Sequence, residues 1–456
     1  MKVLLIQPSI SSSIKRVFIP VGLAYLGSTL EEAGHKVKIL YTFNSKKGII
    51  DFKNELDKYD PDVVGISSTT IDIHVCLQLV NITKEQNPNC LTVLGGAHPT
   101  VCGKEILNQN HNVDVIVRGE GEVTLKELLE KKNKKDFVSV KGISFRFNKK
   151  IIENPERKNI EDLDSLPFPA YHLLPMKEYI NWRKLFNVIE FGKTGSSYAS
   201  ITSSRGCPFN CTFCSSRRMW GNKWRIRSPE NVIEELKILR YKYKKKYIYF
   251  IDDTATIDKK RMSKICQLIR KEDIDISWEC STRVDLFDKN LAKELKKSGC
   301  VNIYLGLESG VQETLDFVCK GIKVEDSIRA VKIAKDAGLT IESNFIIGVP
   351  GETKEKINKT ISFVKKIDIE YPSFTILTPY PGTKIYEYAE KNNLLLTKDW
   401  SKYNLTGSVM KVPGITEKEL KALYIKANLI CNFSPSNIFK SLSRELSLKQ
   451  IDKKTI

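Results

Sequence analysis

Through the first 140 residues, short apolar runs bounded by turn residues alternate with amphipathic stretches. Residues 3–6, 37–40, 63–66, 91–94 and 113–117 are compact and rich in Val, Ile and Leu, whereas 23–33 repeats its apolar positions at helical spacing and stops at Gly34. Five such units predict an open parallel sheet with helices on both faces, and sheets of that kind take ligands beyond the C-terminal ends of their strands. Residues 141–195 break the rhythm: Leu166-Pro167-Phe168-Pro169-Ala170 and 192–197 read as an extended linker.

From residue 198 the alternation resumes. Strands are predicted at 199–203, 247–251, 276–280, 301–307, 340–347 and 373–377, the first five each followed by a helical stretch such as 229–241 or 290–298. Six units close most of a barrel, and the polar motifs of such barrels gather at the C-terminal strand ends. Residues 385–456 read as helical and Lys-rich, with Pro413-Gly414 and Pro435 as punctuation. The boundaries drawn are 1–140, 141–195 (linker), 196–384 and 385–456.

Composition narrows the class. Of 456 residues, 41% are apolar, enough for ordinary cores and too many for a disordered chain. No apolar run approaches the ~18 residues of a spanning helix, and the opening run, cut short by Pro8, reads as a buried strand rather than a secretory segment. A cytoplasmic protein is expected. Eleven cysteines in a chain this long do not make a disulfide framework; Cys90, Cys266, Cys280 and Cys300 stand alone in apolar segments and read as buried free thiols. The net charge of +19 is uneven, with +9 in residues 201–250 and +6 in 401–456. Nucleic acid is one acidic partner that such a balance suggests; anionic cofactors or substrates are another.

The sharpest motif is Arg205-Gly206-Cys207-Pro208-Phe209-Asn210-Cys211-Thr212-Phe213-Cys214, a C-x3-C-x2-C run directly after a predicted strand. Three thiolates this close can hold three metal positions on one loop, and thiolates are the usual ligands of iron–sulfur clusters. A zinc knuckle needs a fourth ligand, and no nearby Cys or His supplies one. The run resembles that of the radical S-adenosylmethionine (radical SAM) superfamily, in which three cysteines bind a 4Fe-4S cluster and the open iron chelates the methionine moiety of SAM. By the same resemblance Asp252 and Asp253, ending the second barrel strand, are acceptors for the SAM amino group. Arg283 pairs with the SAM carboxylate, Glu308 and Ser309 in Gly306-Leu307-Glu308-Ser309-Gly310 contact the ribose, Gly348 supports the adenine and Phe213 stacks on it.

The N-terminal region resembles the cobalamin-binding domain. Ser67-Ser68-Thr69 follows the third strand and Gly95-Gly96 the fourth, where small residues let a planar ligand and its nucleotide tail approach the backbone. The departure is in the loop after the first strand, Gln7-Pro8-Ser9-Ile10-Ser11-Ser12-Ser13, which has no His to place on cobalt. His74 reads as structural, and His98, in Gly96-Ala97-His98-Pro99, as a contact to the cofactor's tail. Cobalamin without a protein imidazole on cobalt is the expectation. Glu120, in Arg118-Gly119-Glu120-Gly121-Glu122, and the 166–170 segment also look like the cobalamin-dependent branch, which includes the anaerobic porphyrin oxidative cyclase and the hopanoid methylase.

The resemblance implies an α/β chain: a Rossmann-like cobalamin-binding domain, a partial (β/α)6 TIM-like radical SAM barrel and a helical C-terminal region. It implies a C-methyltransferase in which a 5′-deoxyadenosyl radical removes hydrogen from an unactivated carbon and methylcobalamin delivers the methyl group. Oxidative cyclisation or rearrangement with the same cofactors is the alternative. A tRNA methylthiotransferase would use N-terminal cysteines and a C-terminal β-barrel, and a corrinoid carrier would not need the cysteine run. The expected partners are a small-molecule, lipid or protein substrate and an electron donor such as ferredoxin or flavodoxin rather than nucleic acid, docking or anionic groups being served by Arg217, Arg218, Lys223, Arg225 and Arg227. Trp182, Trp220, Trp224 and Tyr380 are candidate pocket residues. The stretch 432–448, mixing Phe433, Ile438, Phe439 and Leu442 with Lys440 and Arg444, reads as a packed final helix or a membrane-surface one.

Overall fold

The computed structural model describes residues 1–9, 19–43, 46–178 and 198–432. The linker segment 192–197, Trp182 and the tail beyond residue 432 lie outside the described residues, as does most of the loop that follows the first strand.

The N-terminal sheet contains β1 (Lys2–Ser9), β2 (Lys36–Phe43), β3 (Val63–Ser67), β4 (Leu91–Gly95), β5 (Val115–Val117), β6 (Ile143–Phe147) and β7 (Lys150–Glu153), in the order β2-β1-β3-β4-β5-β6-β7. The first five are parallel, and α1 (Val21–Glu32), α2 (Lys46–Tyr59), α3 (Ile73–Gln86), α4 (Ala97–Gln109) and α5 (Gly121–Leu129) connect or follow them. Because helices cover both faces, β3 and β4 are apolar without alternation. Side chains of Leu4, Ile6, Val64, Ile66, Leu94 and Ile116 enter one core. Their neighbours Val3, Leu5, Val63, Val93, Val115 and Val117 enter another, continuous with the interior of the second domain.

Two differences from the sequence reading concern the 141–195 linker and the C-terminal region. β6 and β7 extend the N-terminal sheet as an antiparallel hairpin. Its turn is Asn148-Lys149, both at positive φ, the conformation a two-residue hairpin turn needs; Asn-Lys is a weaker signal for it than Asn-Gly. In the C-terminal region, helices occupy Lys384–Lys391 and Glu417–Asn432, but residues between them form a turn and isolated bridges, Leu395 with Met410 and Val412 with Ile415. There Asn404 Oδ1 accepts from Thr406 and Gly407, the local side-chain bonding that competes with helix.

The second sheet, β8 (Tyr198–Ile201), β11 (Tyr247–Phe250), β12 (Ser277–Thr282), β13 (Cys300–Leu305), β14 (Thr340–Ile347) and β15 (Tyr371–Ile376), is parallel throughout, in the spatial order β15-β14-β13-β12-β11-β8. Its outer edge at β15 is not left bare: Asn428, on the last helix, accepts from Phe374 N at 3.1 Å and donates to Phe374 O at 3.2 Å. A separate two-residue ladder joins β9 (Ser204–Arg205) to β10 (Arg225–Ile226), antiparallel. No helix of the described residues is long and apolar enough to cross a membrane.

Candidate active site

At the C-terminal end of the first sheet, where the strand order reverses between β1 and β3, an apolar cavity opens among Leu5, Gly22, Gly65, Ser67, Gly95, Gly96 and Gly119. Its floor depends on Gly96, at φ 100 and ψ −171, a conformation that is essentially glycine-only. A Cβ there would sit 2.5 Å from Ser68 O. The close approach is held by Ser68 N donating to Gly95 O at 2.8 Å and His98 N to Ser68 O at 3.4 Å. Gly22 and Gly119 also line the cavity, and a Cβ at either meets nothing within 4 Å. Apolar and lined by glycines, this is a cradle in which a ligand can approach the backbone closely.

Around it the predicted residues divide. Ser67 lines the cavity, whereas Ser68 and Thr69 turn their hydroxyls into Asp72, at 2.9 and 2.8 Å. His74 is exposed on α3. His98 is buried, its Nδ1 3.2 Å from Thr70 Oγ1 and its ring edge-on to Trp400; burial pushes the imidazole down to about 4. It lines not the first cavity but a second, with Thr69, Ser215, Arg218, Met219 and Tyr380.

The cysteine run lies between β9 and β10. Cys207 and Cys211 are half-buried and Cys214 exposed, all unpaired. Thr212 N donates to Val318 O at 2.9 Å and Ile385 N to Thr212 O at 3.0 Å, which seats the loop on the barrel mouth. Among the described residues no three His, Cys, Asp or Glu side chains converge on one ion. Three thiols on one loop are the donor set that a polynuclear iron–sulfur cluster uses, each thiolate holding its own iron. Arg283 lies over the Phe209 ring, 3.7 Å from its centroid, with Nη1 3.9 Å from Cys211 Sγ. Burial pushes the Cys211 thiol up, while the Lys320 and Arg283 cations pull it down.

The remaining strand-end residues are unequal. Glu308, at φ 63, forms a buried ion pair with Lys320 at 2.6 Å, so Arg283, Lys320 and Glu308 gather beside Cys211. Arg283 also pairs with Asp285 at 3.0 Å and donates to Lys320 O at 2.7 Å. Asp253 accepts from Ser216, next to the run. Phe213 packs with Ile346, Val349 and Leu377, near the chain reversal at Gly348. Asp252 is already taken by Ser203 N and the hydroxyls of Ser203 and Ser204, and Ser309 by Thr360 and Val311 N; both hold loops. Sequence reasoning missed Lys320, a lone Lys between Val318 and Ile322 whose burial no local signal announces.

The cations expected to serve docking or anionic groups divide into two buried ones and three exposed ones. Arg225 and Arg227 are buried. Arg227 pairs with Glu235, which also accepts from Tyr171, and Arg225 pairs with Glu120 at 2.8 Å. Lys223 pairs with Glu161, Arg218 with Glu387, and Arg217 donates to Asn210. Glu120, expected to contact cobalamin, has its carboxylate filled by Arg205, Arg225 and Ile160 N. In the second Lys run Lys245 is buried and donates to Met176 O rather than facing water.

Comparison with known proteins agrees with this division. Residues 201–364 match the radical SAM superfamily and residues 10–129 the B12 binding domain. The chain is 42% identical, over 97% of its length and 95% of the relative's, to an uncharacterized methyltransferase of Pyrococcus horikoshii. It is 29% identical to the anaerobic magnesium-protoporphyrin IX monomethyl ester cyclase of Rubrivivax gelatinosus, over 92% of this chain and 75% of that one. Among solved structures, the radical S-adenosylmethionine methyltransferase TsrM of Kitasatospora setae, determined with cobalamin and a [4Fe-4S] cluster bound, shares the fold. Its TM-score is 0.74 at 16% identity, covering 96% of this chain and 91% of that one.

Proposed function

Because the chain belongs to the family of cobalamin-dependent radical SAM methyltransferases, we propose that it methylates an unactivated carbon of a small molecule held in the second cavity. One observation carries the reading: Met219 lines both the glycine-rich cradle and the second cavity, and it lies five residues beyond Cys214. A substrate in the second cavity thus adjoins Met219, which the cradle shares, and Ser215, the residue after Cys214. When bound, the 4Fe-4S cluster and SAM supply hydrogen abstraction at carbon and cobalamin supplies the methyl group.

The chain's own residues bind and orient. Cys207, Cys211 and Cys214 hold the cluster, and Arg283 and Lys320 place positive charge beside it, where an anionic cluster and the SAM carboxylate gain most. We assign Asp253, Glu308 and Gly348 to the polar and backbone contacts of SAM and Phe213 to its adenine. In the second cavity neutral His98, Thr69 and the half-buried Tyr380 offer hydrogen bonds beside Arg218, whose charge is shared with Glu387, which suits a polar substrate. The phenol of Tyr380 is oriented by the carbonyl of Tyr403 at 3.0 Å. Reduction of the cluster falls to a cytoplasmic ferredoxin or flavodoxin.

The test is mass spectrometry after anaerobic turnover with methyl-labelled SAM and candidate substrates. A product carrying the labelled methyl supports methyl transfer; turnover that yields an unlabelled, cyclised or rearranged product sinks it in favour of the oxidative branch.

A further inference from the structure

The loop that carries the cysteines has a closed neck, and the neck is fastened to the other domain. β9 and β10 set Arg205 directly opposite Arg225, so residues 206–224 leave and rejoin a two-residue ladder. Two guanidinium groups facing each other across a ladder repel. Glu120 from the first domain relieves this, accepting from Arg205 Nη1 at 2.8 Å and from Arg225 Nη1 at 2.9 and 2.8 Å. Glu122 accepts from Arg205 Nη2 at 2.7 Å. All four side chains are at most 6% exposed. Arg205 is further sandwiched between Tyr25 and Trp220, its guanidinium 5.1 and 5.3 Å from the two ring centroids.

This clamp shares its residues with the glycine-rich cradle. Residues 119–122 line that cavity from the first domain, and Met219 and Trp220, inside the cysteine-bearing excursion, line it from the second. A ligand filling the cavity therefore presses on both sides of the joint that positions the excursion. A buried charge pair is also intolerant of loosening, since separating the partners leaves an uncompensated charge in low dielectric.

We infer that Glu120, Glu122, Arg205 and Arg225 form a positioning clamp that couples occupancy of the cobalamin cradle to seating of the cluster loop. Filling either site orders the wall the other uses. Linkage makes the effect reciprocal, with couplings of ordinary size falling at roughly 5- to 150-fold. The inference rests on the cofactor assignment above. Its bland competitor is a joint that merely holds two domains together, which predicts lost stability and no coupling.

The test is a spectral titration of the full chain, kept anaerobic, with methylcobalamin, whose occupied upper face cannot take a thiolate. It is run with and without the reconstituted cluster. In the wild type the cluster is expected to tighten cobalamin binding by about tenfold. In Glu122→Gln, which keeps shape and removes one charged contact, the ratio should fall toward one. Arg205→Lys, which keeps the charge but loses the fork and the ring sandwich, should do the same and stands in if the first variant does not fold. In parallel, cobalamin addition should alter the paramagnetic resonance line shape of the reduced cluster in the wild type and not in the variants. A wild-type ratio of one, or variants that melt earlier with the ratio unchanged, overturns the clamp. A wild type that binds neither iron nor cobalamin instead sinks the functional reading on which it stands.

Discussion

Replacing Gly22 with Trp should separate cobalamin binding from folding. Gly22 is the second residue of α1, an added Cβ there meets nothing within 4 Å, and the residue lines the glycine-rich cavity. An indole at this position projects into the volume that the cofactor is assigned. Forcing extra atoms into an otherwise filled site costs about 1–3 kcal/mol, so cobalamin affinity should drop by roughly 5- to 150-fold. The fold should not suffer. Leaving glycine inside a helix gains up to ~1 kcal/mol, and that gain is offset by the exposed ring in the empty protein. The melting temperature of the cofactor-free chain should therefore stay within about 4 °C of wild type. Gly22→Ala is the size control, expected to bind within about threefold of wild type because a lone methyl falls in open space. The assay is spectral titration with methylcobalamin beside a melting curve of the same preparation. A Gly22→Trp protein that is folded and binds cobalamin as tightly as wild type would refute the placement of the cofactor in this cavity.

Three further outcomes follow from buried groups. Glu235→Ala strands the Arg227 guanidinium and the Tyr171 hydroxyl, at a cost of about 3–5 kcal/mol. Arg227→Met with Glu235→Leu should recover most of that in a thermal-melt double-mutant cycle, and additive losses would contradict the pairing. Burial raises the Glu352 carboxyl from its ordinary 4.5 to about 7, against hydrogen bonds from Gly348 N and Val349 N. The folded state therefore holds a proton that the unfolded state releases, and stability should fall between pH ~4.5 and ~7 by about 3 kcal/mol. Glu352→Gln should flatten that slope in melts across the range; a slope unchanged in the variant rules Glu352 out as its source. Asn428→Ala uncovers the β15 edge at Phe374 and should cost about 1–3 kcal/mol with faster amide exchange at Phe374, where unaltered exchange would show that the side chain does not guard the edge.

The α/β fold class and the cysteine run were legible because their signals are local. A β-branched run such as 63–66, buried on both faces, announces itself in a few residues, and three thiols in eight positions need no distant partner. Gly96 was legible in kind: small residues after β4 mark a close backbone approach, and the structure supplies the partner, Ser68 O. Glu120 shows where locality fails. At a strand end in a Gly-Glu-Gly-Glu stretch it reads as a ligand contact, and it does line the cradle, but its carboxylate is held by Arg205, 85 residues further along the chain. Asp252 and Ser309 show the opposite case, strand-end groups whose hydrogen bonds go to nearby Ser203, Ser204, Val311 and Thr360. Of the five cations around the cysteines expected to serve anionic groups or docking, Arg225 and Arg227 are internal while Arg217, Arg218 and Lys223 are exposed, a split that sequence does not report.

The central claim is that Cys207, Cys211 and Cys214 hold a cluster that acts on SAM. It is tested most directly by reconstituting the chain without oxygen, counting iron, and measuring 5′-deoxyadenosine released from SAM after reduction. The account predicts about four irons per chain and steady release in the wild type, with both lost in Cys211→Ala. Release that persists unchanged in Cys211→Ala would contradict it.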